Sequence, residues 1–309
     1  MTVSDQFNPK NNLKLIGLKN YFIFLKDLIE ENKLPKVILL TGNKGIGKFS
    51  MTNHLMHFFF DNENYDINDN KIRSESAFHH QFVHNIFPNI IYLNGSDFKN
   101  IKIDDIQDLK KTILKTPIRD MKRFIILDDI EIFNTHSVNG LLKIIEEPSN
   151  NNYFILINNK SRALIDTLRS RCCEIKILLD EKIRIEILNY LSEYFNQKII
   201  IDCNLVKATP GDLIKYNYIL EKNNINIDES FIKNLKLILN IYKKEKDIIY
   251  KNLIFFLVEY FFQRQKSANN KIKMIENRSF VLKYINEYFV HNLNQNTLMN
   301  SLENRFNRG

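Results

Sequence analysis

The sequence predicts an α/β fold with a mostly parallel sheet, followed by an all-helical region. Three observations carry this expectation. Short β-branched runs alternate with helical patterns between about residues 36 and 178, as in chains of βαβ units. The first run feeds a glycine-rich loop that opens a helix, the way a buried parallel strand passes to its crossover. Beyond Asp180 the strand signals fade, and long amphipathic or nearly all-apolar helical patterns take over.

In chain order, Leu18, Phe22, Leu25 and Ile29 recur at helical spacing over Gly17 to Asn32, and Pro35 ends the pattern. Lys36 to Thr41 (KVILLT) reads as a buried strand bounded by Gly42, with a helix expected from Lys48 to Phe60. Asp61 to Ser76 is polar and rich in Asn, and reads as an exposed insertion or long loop. Pro88 to Leu93 is a second strand, and Asp104 to Leu114 a helix with Asp104 or Asp105 near its start. Arg123 to Asp128 is a third strand that ends in an acid. Ser137 to Ile145 is a helix closed by Glu146, Glu147 and Pro148. Asn152 to Ile157 is a fourth strand ending at Asn158 and Asn159, and Glu174 to Leu179 a fifth. A helix over Glu181 to Phe195, a turn at Thr209 to Gly211 and a helix over Asp212 to Leu220 follow. Glu221 to Glu229 then reads as a linker to a separate helical bundle over Ser230 to Phe306. No internal repeat is visible.

At 309 residues, two or three domains are expected. A chain 44% apolar and 26% charged is globular in composition. Cys172, Cys173 and Cys203 lack metal-binding spacing, and the adjacent pair is poorly placed to bridge to itself, which fits a reducing compartment. No apolar run reaches the ~20 residues of a membrane span. The start MTVSDQFNPKNN lacks a signal-peptide layout. The expectation is a cytoplasmic protein with no membrane contact. A net charge of +8 permits contact with a polyanion. The basic residues are spread along a chain rich in Lys, Asn and Ile, so charge alone leaves nucleic-acid contact undecided.

The sharpest local feature is GNKGIGKF over 42–49, with a strand before it and a helix after. It meets the phosphate-loop pattern G-x-x-x-x-G-K-[ST] everywhere but the last position. Gly42, Gly45 and Gly47 let backbone N–H groups curl around phosphate oxygens, and Lys48 would reach the outer phosphates. Phe49 stands where a hydroxyl would hold Mg²⁺, and a phenyl ring cannot ligate a hard cation. Ser50 comes one residue later, about 100° around a helix. The loop therefore reads as a degenerate nucleotide site kept as architecture, with rescue by Ser50 the other reading.

Asp128 occupies the position of the strand-end acid that orients Mg²⁺, and Asp129 that of the water-activating glutamate, one methylene shorter. A displacement of that size can cost about two orders of magnitude in rate. Asn158 and Asn159 are either sensors of a terminal phosphate or ordinary turn residues.

The segment LDDIEIFNTHSVNGLLKIIEEP over 127–148 resembles the stretch of bacterial clamp-loader subunits in which the acidic strand precedes N-x-L-L-K-x-x-E-E-P. Leu168 to Cys172 (LRSRC) is similar to that family's S-R-C signature, and Ile103 to Leu109 with Thr116 and Pro117 also fits. The resemblance covers roughly 14–178. It implies an AAA+ P-loop domain over 1–178, a small helical lid over 179–225 and a helical collar over 226–309. Within the family, Phe49, the Thr209-Pro210-Gly211-Asp212 turn at the place of a sensor arginine, and the absence of a long C-terminal extension favour the delta-prime type over the ATP-hydrolysing tau/gamma type.

The resemblance further implies that Arg171 is an arginine finger reaching a neighbour's ATP, since its planar fork matches phosphate oxygens. Otherwise Arg169 and Arg171 would pair with acids such as Asp166 or Glu174. The expected partners are the delta and tau/gamma subunits in a hetero-pentameric ring, and the sliding clamp and primer–template DNA through that complex. No cofactor is required, residual ATP binding stays open, and no zinc is expected. Many relatives carry a four-cysteine zinc module before the acidic strand, and this chain has no cysteine there. His79, His80 and His84, without other soft ligands, read as surface residues. Alternatives are an active ATPase of the tau/gamma type and another AAA+ adaptor such as a helicase loader. The apolar residues Ile238, Leu239, Ile241, Leu253, Phe255, Phe256, Phe261 and Phe262 are either an outward assembly surface or bundle core.

Overall fold

The computed structural model describes residues 3–96, 103–113, 117, 121–149, 151–265 and 271–307. The chain divides into two compact units, Met1–Tyr190 with Thr209–Gly211, and Leu191–Ala208 with Asp212–Gly309.

In the first unit α1 (Val3–Gln6) precedes α2 (Lys19–Glu30), β1 (Val37–Thr41) and α3 (Lys48–Phe60). A hairpin of β2 (Tyr65–Asp66) and β3 (Lys71–Ile72) leads to α4 (Ala77–Val83), β4 (Ile90–Asn94) and α5 (Ile103–Ile113). Then come β5 (Arg123–Asp128), α6 (Thr135–Glu146), β6 (Asn152–Asn158), α7 (Asp166–Arg169) and β7 (Cys173–Lys176). The main sheet has the order β4-β5-β6-β1-β7, with every pairing parallel. The Leu114 end of the expected helix and Thr116 lie outside the described residues.

Alternation along the strands builds two cores, one on each face. Ile38, Leu40, Phe124, Ile126 and Ile155 face Phe22 and Leu25 of α2 and Met51, Leu55 and Met56 of α3. Val37, Leu39, Ile125, Leu127, Phe154 and Leu156 face Ile106 and Leu109 of α5 and Val138, Leu141 and Ile145 of α6. Burial on both faces explains why these strands read as unbroken apolar runs. Each such side chain contributes roughly 1.5–3 kcal/mol. β7 stops at Lys176, short of the expected Leu179. The Ile177 N–H still donates to Thr41 O at 2.8 Å, but Gly42 then turns away and Leu178 is left exposed without a strand partner on β1.

Two expectations for residues 61–87 are corrected. The segment 61–76 is not a plain exposed loop, because Tyr65 and Ile72 face each other across the hairpin and are both buried. Tyr65 packs on Phe22 at 5.7 Å between ring centres, and its hydroxyl donates to His54 Nδ1 at 3.1 Å. His80 and His84 are exposed, but His79 is buried. His57 Nδ1 donates to Asn53 O at 2.9 Å, which leaves its Nε2 to accept from His79 Nδ1 at 3.1 Å. Around this pair Phe60 stacks on Phe78 and Phe87 meets both edge-on, with ring centres 4.8–5.7 Å apart. Aromatic packing onto α3 thus ties this segment down.

α8 (Glu181–Tyr194) and α9 (Pro210–Lys222) follow the sheet. The expected turn at Thr209 to Gly211 is partly helical, since Pro210 is the first residue of α9, where its fixed φ and missing N–H suit a helix start. The second unit is built around α10 (Phe231–Glu245), α11 (Ile248–Arg264), α12 (Lys271–His291) and α13 (Gln295–Asn307). Packing runs α10 on α11 and α13, α11 on α12, and α12 on α13, a closed bundle. Ile238, Leu239, Leu253, Phe256 and Phe262 are buried, and Ile241, Phe255 and Phe261 are half-buried. The apolar set is therefore mainly bundle core, because α11 lies between two neighbours and is apolar nearly all round. Among the described residues no helix is long and apolar enough to cross a membrane.

Candidate functional site

The glycine loop joins the end of β1 to the start of α3, and β5 and β6 end beside it because they follow β1 in the sheet. Carboxyl ends of parallel strands are where α/β sheets gather ligand-binding groups. Gly42, Gly45, Gly47, Lys48, Asp128, Asp129 and Asn159 all meet there. Gly45 and Gly47 adopt left-handed backbone angles, with φ +81° and +98°, which side-chain-bearing residues rarely adopt. Gly47 caps α3, and the Gly42 N–H donates to Asn158 O at 3.2 Å.

The cation of the loop is turned back on the loop itself. Lys48 is buried, and its Nζ donates to Gly42 O and Asn43 O, each at 2.7 Å. Burial lowers its pKa to about 8. Phe49 is 7% exposed and lies edge-on to Tyr92 at 5.0 Å between ring centres. Its ring belongs to the core beneath the sheet, so the position that would offer a hydroxyl offers hydrocarbon.

The acids are engaged as well, Asp129 on both oxygens and Asp128 on one. Asn159 Nδ2 donates to Asp128 Oδ1 at 3.1 Å and to Asp129 Oδ1 at 2.6 Å. Lys44 Nζ donates to Asp129 Oδ2 at 2.9 Å, and Ser96 Oγ bonds that same oxygen. Burial and then the neighbouring Asp129 push the Asp128 carboxyl up to about 6. Burial would raise Asp129 as well, yet the Lys44 ammonium holds it below its ordinary value, helped by Ser96 and Asn159. Asn159 is the asparagine that touches the acids. Asn158 accepts the Lys160 N–H on its own side-chain oxygen at 2.9 Å, an ordinary turn contact.

Sequence reasoning missed two participants, Lys44 and Glu131, and named the turn of a third, Gly211, without its contact. Lys44, in a variable position of the loop, supplies the charge opposite Asp129. Glu131 is buried and accepts the N–H groups of Asn159 and Ser161 at 3.1 Å and the Ser161 hydroxyl at 2.7 Å, which fixes the loop bearing Asn159. Its acidity within an apolar stretch, LDDIEIF, was the available signal. Gly211 donates its N–H to Gly45 O at 3.0 Å, and a Cβ there would stand 2.9 Å from that oxygen. The Pro210-Gly211 turn therefore sits directly on the glycine loop.

For a magnesium nucleotide the set lacks the hydroxyl ligand at Phe49, while Asp129 is bonded to Lys44, Ser96 and Asn159, and Lys48 to two carbonyls.

Arg171 lies outside this network. Its Nε donates to Glu146 Oε1 at 2.7 Å, its Nη2 lies 2.5 Å from the same oxygen, and its Nη1 donates to Thr167 O at 2.8 Å. The acids Asp166 and Glu174, considered as partners for both arginines, pair with Arg169, at 3.9 and 3.8 Å.

Residues 17–181 match the family described as "DNA polymerase III, delta subunit". A DNA polymerase III subunit gamma of Buchnera aphidicola (Schizaphis graminum) is 25% identical over 87% of this chain and 73% of its own length. A DNA polymerase III subunit delta' of Bacillus subtilis is 30% identical over 48% of this chain and 44% of its own length. A gamma-subunit-related protein of Thermotoga maritima shares the fold, with a TM-score of 0.52 and 16% identity over 92% of this chain and 98% of its own.

Proposed function

The chain belongs to the DNA polymerase III delta-subunit family of bacterial clamp loaders, and on that premise we propose that it is a delta-prime-type stator, which hydrolyses no ATP and supplies Arg171 to a neighbouring subunit's ATP. In this reading it assembles in the cytoplasm with delta and tau/gamma subunits in a hetero-pentameric ring. The complex loads the sliding clamp on primer–template DNA. Residues 179–225 act as lid and 226–309 as collar.

The observation that carries the proposal is Phe49, buried against Tyr92 where a hydroxyl would hold Mg²⁺. The self-bonded Lys48 and the saturated Asp129 support it. The match to a gamma subunit over 87% of the chain favours a second reading, an active tau/gamma-type ATPase. The two separate by measurement. The isolated chain should show no steady ATP turnover, and steady turnover abolished by Lys48→Ala would establish the second reading. Arg171→Ala should leave assembly intact and lower the ATPase rate of the reconstituted complex.

A further inference from the structure

We propose that Glu146 is the positioning residue for Arg171: it holds the guanidinium along its Nε–Nη2 edge so that the hydrogens left on the two terminal nitrogens are presented to a nucleotide phosphate on a neighbouring subunit. This rests on the reading of Arg171 as a finger acting in trans.

A guanidinium has five N–H donors in a fixed plane. The Nε and Nη2 contacts to Glu146 Oε1 use one edge of that plane, and Nη1 donates to Thr167 O. One hydrogen then remains on Nη1 and one on Nη2. Both terminal nitrogens thus keep a donor, as two-point contact with phosphate oxygens requires.

The supports come from two different elements. Glu146 is the last residue of α6, whose start is capped by Asn134 shortly after the strand carrying Asp128, and Thr167 belongs to α7. Arg171 is fixed at both sides of its plane and does not depend on a single flexible contact. A long side chain held in advance loses less freedom when it meets its ligand.

Stability alone gives little reason for the pair. The Arg171 and Glu146 side chains are 35% and 45% exposed, and exposed ion pairs contribute little to folding. A carboxylate beside a phosphate-seeking cation also lowers the local positive potential. Glu146 is therefore of use here for where it puts the fork, not for its charge, and that separates two substitutions. Glu146→Ala removes the accepting oxygen, whereas Glu146→Gln keeps an oxygen and removes the charge.

The test is the steady-state ATPase of the reconstituted clamp-loader complex, with kcat and KM determined separately and assembly checked by size-exclusion chromatography. Glu146→Ala should lower kcat about tenfold with KM for ATP nearly unchanged, because misplacing a reacting group acts on the transition state. Glu146→Gln should recover most of the rate. On an Arg171→Ala background, Glu146→Ala should have no further effect. An unchanged or raised kcat for Glu146→Ala, alongside a lowered kcat for Arg171→Ala, would overturn the positioning role and leave the finger standing. Additive losses in the double variant, or a Glu146→Gln as slow as Glu146→Ala, would overturn it too. If Arg171→Ala itself has no effect, the finger reading fails and the positioning role falls with it.

Discussion

The glycine loop and Arg171 both carry cations suited to phosphate, and the fold leaves them in opposite states. Lys48 is buried, turned inward and bound to two carbonyls of its own loop. Arg171 is partly exposed and held along one edge, with hydrogens remaining at its tip. Lys48 gives two of its three N–H donors to its own loop, and Arg171 keeps one hydrogen on each terminal nitrogen. In the proposed reading, the phosphate chemistry belongs to Arg171, not to the motif that most resembles a phosphate site.

The largest expected effect tests the inward side of this contrast. Phe49→Ser should cost about 3–5 kcal/mol in chemical denaturation, as core aromatic truncations do, and should bring no ATP turnover. Turnover in that variant would mean that one hydroxyl separates the loop from an active site, and the contrast would collapse.

An effect smaller per pH unit comes from the middle of α3, the helix that Lys48 opens. Burial lowers His54 to about 3 and His57 to about 4. The unfolded chain, with histidines near ~6.5, takes up protons first as pH falls. The full contribution is present above that value, and stability should decline below it by about 1.4 kcal/mol per pH unit for each histidine, until the folded values are reached. Urea midpoints at successive pH values check this. A flat profile would show that α3 is open to solvent, and the sealed character of the loop region would be lost.

The most local effect concerns the acid beside the loop. Lys44 is half-exposed but Asp129 is buried, so Lys44→Ala should cost about 1–3 kcal/mol. The Asp129 carboxyl should then titrate at higher pH, since burial would no longer be opposed by the ammonium. Carbon-detected NMR titration of that carboxyl sharpens the contrast by measuring how far Lys44 alone closes the site.

Much of the frame was legible in the sequence, and for a definite reason. The strand at 123–128 falls where its apolar run places it, because β-branched runs buried on both faces leave little ambiguity, and the helix at 48–60 starts where Gly47 places it. The glycine loop and its acids were equally readable as a set. The hairpin of β2 and β3 was not, since two apolar anchors, Tyr65 and Ile72, are scattered among Asn, Asp and Glu. Nor was the Lys44–Asp129 pair, whose members are 85 positions apart. Sequence named acids for Arg171 within five residues, but the fold supplied Glu146, 25 residues back. Such partners are set by which strand ends meet, and local pattern carries no record of that.

The place of β1 in the sheet has a consequence for the making of the protein. Val37–Thr41 has hydrogen-bonding partners on both sides, β6 and β7, and both lie roughly a hundred residues or more further along. At about 5–20 residues per second of synthesis, the strand waits several seconds or longer for its first neighbour. Throughout that interval both of its ladder edges are open to other nascent chains. A chain interrupted before Asn152 keeps this exposure permanently, so premature termination should yield fragments that chaperones hold and proteases clear, with no partly working domain among them.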